Sequence, residues 1–292
     1  MPVRQVAWNF GPFEGAELAT AHYRIYTTTT NRPMQQYLPG FLEAACAQYA
    51  RLTGLSAPSA DSPQPMTVYM LGSRQQWAAM TRQVTGPRSA AYLAIENGGY
   101  CHGGVCVFWD MGHFATLSIA AHEGLHQFLH ATLRESLPAW SEEGLAVLAE
   151  GYHTDWASKT VRFDPTANTL RLSGLREQLV GGRWIPLERL LSTDAGDYVG
   201  VERTGPEYYS QLWAMLLFIR SEPAYRDGLQ RLLADAAGGT LRQKLRAPAE
   251  MGAGRTYNRS VSMPVFRHYI DADLEGFEKR CRQYALGLAH LN

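Results

Sequence analysis

Residues 117–150 read LSIAAHEGLHQFLHATLRESLPAWSEEGLAVLAE, and this stretch decides how the rest of the chain is understood. Within it, His122-Glu123-Gly124-Leu125-His126 is an H-E-x-x-H pattern. On a helix of 3.6 residues per turn, positions i and i+4 lie one above the other. Two imidazoles then converge on one tetrahedral ion, and the intervening glutamate stands beside its water. The flanks supply such a helix: the segment has no proline before Pro138, and Leu117, Ala121, Leu125 and Phe128 form an apolar stripe. Gly124 costs about 1 kcal/mol relative to alanine; the expectation is that a small residue here leaves space near a metal.

A catalytic zinc site keeps three protein ligands and one open position. His130 continues the series, but it lies eight residues from His122, about 12 Å along the axis, too far for one ion. The helix that starts at Pro138 offers a better donor. Glu142 and Glu143 point about 100° apart, so only one faces the metal. Ala139, Ala146 and Val147 share the face of Glu143, which favours Glu143 and leaves Glu142 toward solvent. Glu150, two turns further on, is either a carboxylate holding a ligand imidazole or an ordinary satisfied acid at a helix end.

Outward from this core, residues 22–29 (HYRIYTTT) and 66–71 (MTVYML) read as strands. Residues 34–53 carry apolar positions at helical spacing: Met34, Tyr37, Leu38, Phe41, Leu42, Ala45 and Tyr49. A helix follows Gly72 with Ser73 as its N-cap. The segments AAYLAI and YCHGGVCVFWD read as two strands joined by the Gly-rich turn ENGG. After residue 170 the pattern is largely helical. The fold class expected is α+β: a small mixed sheet with helices and the H-E-x-x-H helix, then a mostly helical C-terminal part. The boundaries expected are 1–134 for an α/β subdomain and 135–292 for a helical subdomain carrying the third ligand.

With 46% hydrophobic and 18% charged residues among 292, this is a globular composition. Lys+Arg and Asp+Glu both number 27, so no basic footprint points to nucleic acid. No apolar run approaches the roughly 20 residues of a membrane helix. The start MPVRQVAWNF lacks the apolar core of a signal peptide, so a cytoplasmic location is expected unless a leader has been removed. Of four cysteines, Cys101 and Cys106 flank HGGV and are either a hairpin disulfide or two free thiols; Cys46 and Cys281 read as buried small hydrophobes.

H-E-x-x-H followed by P-x-W-x-x-E-G-x-A resembles the gluzincins, zinc metallopeptidases of the thermolysin-like and peptidase-MA type, on His122, Glu123, His126, Pro138, Trp140, Glu143, Gly144 and Ala146. The likeness is nearest to small peptidase-MA-like metallopeptidases with an α/β region before the motif and a helical tail after it. The resemblance implies one Zn2+ ion on His122, His126 and Glu143, with Glu123 as general base and a peptide or protein substrate. It further implies a tyrosine, Tyr209, that steadies the developing oxyanion. It implies an edge strand in YCHGGVCVF, where Gly103 and Gly104 admit the substrate backbone. AIEN (94–97) is similar to the strand whose glutamate anchors a free amine in gluzincin aminopeptidases; Glu96 takes that role or sits in a simple turn. Three other readings stay open: an inactive peptidase-like binding protein, a zinc hydrolase of non-peptide amides or esters, and a structural zinc. The oligomeric state is not legible.

Overall fold

The computed structural model describes residues 3–194, 205–245 and 255–291. The protein is α+β, with a six-stranded mixed sheet, a two-stranded sheet and a largely helical C-terminal part. It divides into two compact units. The first is Met1–Leu52, Ser56–Thr132 and Tyr152–Asp164; the second is Thr53–Leu55, Leu133–Gly151 and Pro165–Asn292. Among the described residues, no helix is long and apolar enough to cross a membrane.

The first unit opens with strands β1 (Arg4–Phe10), β2 (Phe13–Ala19) and β3 (Tyr23–Thr27), followed by helix α1 (Arg32–Thr53) and strand β4 (Met66–Leu71). Helices α2 (Arg74–Thr85) and α3 (Ser89–Leu93) come next, then strands β5 (Tyr100–His102) and β6 (Val105–Trp109) and helix α4 (His113–Thr132). The sheet order is β1-β2-β3-β4-β6-β5. The pairs β3–β4 and β4–β6 are parallel, because α1 and then α2–α3 carry the chain across; the remaining pairs are antiparallel. β5 is therefore an edge strand.

Period-2 burial builds the sheet: Tyr23, Ile25 and Thr27 of β3 and Met66, Val68 and Met70 of β4 are buried, while Arg24, Tyr26, Thr67 and Tyr69 between them are half-exposed. The seven α1 positions picked out by spacing are all buried, although Pro39 sits inside that helix. On the other side of the sheet, Trp77 and Met80 of α2 close a cluster with Leu71, Tyr100, Val107 and Trp109. Ser73 caps α2 by accepting from the Gln76 amide.

AAYLAI is not a strand. Residues 89–93 continue a 3-10 turn at Gly86–Arg88 as a short helix, favoured by two alanines, and the Arg74 guanidinium closes its end by donating to the carbonyls of Leu93 and Ile95. The hairpin turn is accordingly Gly103-Gly104, not ENGG. A second hairpin, β7 (Tyr152–Asp155) and β8 (Thr160–Phe163), completes the first unit.

The second unit is helical. It holds α5 (Ala139–Ala149), α6 (Thr169–Val180), α7 (Leu187–Ser192), α8 (Gly205–Ser221), α9 (Pro223–Gly238), α10 (Leu241–Lys244), α11 (Arg255–Tyr269) and α12 (Leu274–Leu288). Its centre is α8, in which every residue from Ser210 to Ile219 is buried. α5 lies directly on it. A Cβ at Gly144 would overlap the Leu216 side chain, so the glycine sets how closely the two helices approach.

Candidate metal centre

α4 forms as its apolar stripe demands. Leu117, Ala121, Leu125 and Phe128 are buried, while His122, Glu123 and His126 on the opposite side are half-exposed. The two imidazoles sit one turn apart with ring centroids 5.1 Å apart.

Gly124 has a different reason from the one expected. A Cβ there would come 2.5 Å from the Tyr49 hydroxyl, which donates to the Ala121 carbonyl at 2.8 Å. The glycine admits a buried tyrosine of α1, and that tyrosine bonds the helix one residue before His122. Burial holds the Tyr49 phenol protonated, its pKa well above the ordinary value.

The β5–β6 hairpin is fastened to the same helix. The Cys106 thiol donates to the Glu123 carbonyl at 3.1 Å. The Gln127 amide donates to the carbonyls of Gly104 at 2.6 Å and Thr67 at 2.8 Å. His130 is exposed and packs against Gly104. Gly103 and Gly104 both have positive φ, 55° and 77°, as a two-residue type I′ hairpin turn requires. Glu96 lies in an exposed bend outside any strand.

In the second unit, Glu143 is half-buried on α5; Glu142 is half-buried as well and is not turned fully to solvent. Glu150, at the C-terminal end of α5, is taken up by Arg171 of α6. The Arg171 guanidinium donates to both carboxylate oxygens at 2.9 and 2.8 Å, and the Asn168 amide adds a third bond at 2.9 Å. Burial works against the charge on Arg171, but Glu150 outweighs it and raises the pKa further, with Tyr209 and Glu143 acting in the same direction. The guanidinium carbon lies 5.0 Å from the centre of the half-buried Tyr209 ring, a cation–π contact. Tyr208 is fully buried and meets Tyr209 edge-on at 5.3 Å.

One nitrogen from each of His122 and His126 and one carboxylate oxygen of Glu143 lie within 4.8 Å of one another, and this is the group of possible metal donors found among the described residues. These are the three donors that the sequence spacing predicts. Arg171 is not visible there, because its burial leaves no mark in LRLSGLREQLV, and Tyr49 reads in the sequence only as a core residue. No protein-family model matches the chain, and no curated protein matches it.

Proposed function

We propose that the protein is a zinc-dependent peptidase, with the ion on His122, His126 and Glu143. The observation that carries this reading is the convergence of those three donors within 4.8 Å. Two donors bound tetrahedrally at about 2.0–2.1 Å stand about 3.4 Å apart, so only small side-chain movements close the set. Two imidazoles and one carboxylate suit zinc, and all three residues are half-exposed, which leaves a side for water and substrate. The ion would supply a Lewis acid that acidifies water and polarises a carbonyl.

Glu123 stands between the two histidines on the half-exposed side of α4 and serves as the general base. Its carboxylate takes a proton from the attacking water and passes it to the leaving amine. Tyr209 donates its phenol proton toward the carbonyl oxygen as charge develops there, with its ring held beneath Arg171. β5, at the sheet edge and fastened to α4, offers main-chain groups to an extended peptide.

Hydrolysis of a quenched peptide library by wild type and Glu123→Gln tests this. The variant is expected to lose activity about 10²–10⁴-fold while retaining zinc. Equal hydrolysis by both proteins removes the peptidase assignment.

A further inference from the structure

The β5–β6 hairpin puts Cys101 directly opposite Cys106. Its turn has two residues, Gly103 and Gly104, and the pair flanking it is His102 with Val105. Hydrogen-bonded and non-hydrogen-bonded pairs alternate along an antiparallel ladder, and the pair next to a two-residue turn is hydrogen-bonded. Cys101 and Cys106 therefore occupy the non-hydrogen-bonded register, where Cα atoms stand about 4.5 Å apart and side chains are closest. That spacing lies within the range of about 4.4–6.8 Å that a disulfide bridges. Both are thiols in the structure, and the Cys101 thiol is an immediate electrostatic and hydrogen-bonding neighbour of Cys106. Cys106 is buried and donates to the Glu123 carbonyl, whereas Cys101 is partly exposed.

We propose that Cys101 and Cys106 are a thiol–disulfide exchange site whose oxidation loosens the helix carrying His122, Glu123 and His126. The consequence for metal rests on the zinc reading above; the exchange chemistry does not. With oxidised glutathione as oxidant, the Cys101 thiolate attacks one glutathione sulfur. That S–S bond breaks, and the first glutathione leaves as a thiolate. The Cys106 thiolate then attacks the Cys101 sulfur of the mixed disulfide and expels the second glutathione. Two protein thiols become one disulfide; two electrons and two protons pass to two molecules of reduced glutathione. The first step falls to Cys101 because it is the accessible thiol.

Forming the bond turns the Cys106 sulfur toward Cys101 and removes its proton, so the Glu123 carbonyl loses its thiol donor. The same hairpin is tied to α4 through the Gly104 carbonyl, which accepts from Gln127, and His130 lies against that turn, so a shift of the hairpin is passed to the helix. Oxidation thus acts on the turn of α4 that holds the two histidines.

The test incubates the full chain with oxidised glutathione, followed by peptide mapping, amide hydrogen exchange of metal-free protein, and zinc titration against a competing chelator. A Cys101–Cys106 cross-link reversed by dithiothreitol is expected, with Cys106→Ser stopping at a glutathione adduct on Cys101. Amides 123–130 of the oxidised, metal-free protein are expected to exchange at least tenfold faster, and its zinc affinity to fall at least tenfold. Absence of the cross-link, or equal exchange of those amides in both forms, overturns the proposal. If the reduced protein takes up no zinc, the peptidase reading fails, and the hydrogen-exchange comparison still decides the redox one.

Discussion

At the scale of single residues, the second unit contains a buried ion pair that is costly to break. Glu150 and Arg171 have side chains only 5% and 15% exposed, and Asn168 completes the arrangement. Removing one partner leaves a charge where water does not reach, which costs about 3–5 kcal/mol. Glu150→Ala is therefore expected to destabilise the protein on that scale in urea unfolding; a loss below about 0.5 kcal/mol would mean that Arg171 finds an equal partner elsewhere. The candidate donors were legible in the sequence because their spacing is itself the mechanism: i and i+4 on one helix, with Glu143 on the predicted apolar face of the next. Arg171 was not legible, since an arginine on an amphipathic helix reads as solvated until the element opposite it is known. In the sequence Gly124 reads as room for a metal; in the fold its neighbour is Tyr49, 75 positions earlier in the chain.

At the scale of elements, Gly124 sets a contest between α4 and α1. Alanine in place of glycine favours the helix by about 1 kcal/mol, while forcing the Tyr49 hydroxyl aside costs about 1–3 kcal/mol in packing and endangers its bond to Ala121. The steric cost wins, so Gly124→Ala is expected to lower the melting temperature. In a Tyr49→Phe background the nearest remaining ring atoms stand at 3.3–3.4 Å. There the same substitution is expected to be neutral or stabilising. Thermal melts of the four proteins read this change of sign, and an equal penalty in both backgrounds would refute the packing argument. The elements legible in the sequence are those with a clear apolar period or run: strands β3 and β4, and helices α1, α2, α4, α5, α6 through α9 and α12. β1 is exposed along most of its length and so shows no alternation of burial, and the β7–β8 hairpin has strands of only four residues each, too short for their period to stand out in the sequence. AAYLAI misled because a short apolar run carries no period; only its Ala pair and the Arg74 cap settle it as a helix.

At the scale of the whole molecule, acid is expected to destabilise the fold through carboxylates whose pKa values folding depresses. Burial works against ionisation of Glu43, but bonds from Thr20 and His22 outweigh it and hold its pKa below the ordinary carboxylate value. Asp235 is likewise held low against burial by Lys244 and Tyr269. A group whose pKa is depressed by folding contributes stability above its unfolded pKa and loses it as pH falls through the folded one. Urea midpoints are therefore expected to hold from pH 7 to about 5 and to decline below about 4. In Glu43→Gln and Asp235→Asn that decline is expected to be shallower, and an unchanged slope would clear these carboxylates of the role. The zinc site can be tested more directly, by metal analysis of the undegraded protein beside His122→Ala and Glu143→Ala. About one equivalent of zinc in wild type and little in either variant is the expected result. Less than about half an equivalent in wild type, or undiminished zinc in both variants, would contradict a metal held by His122, His126 and Glu143.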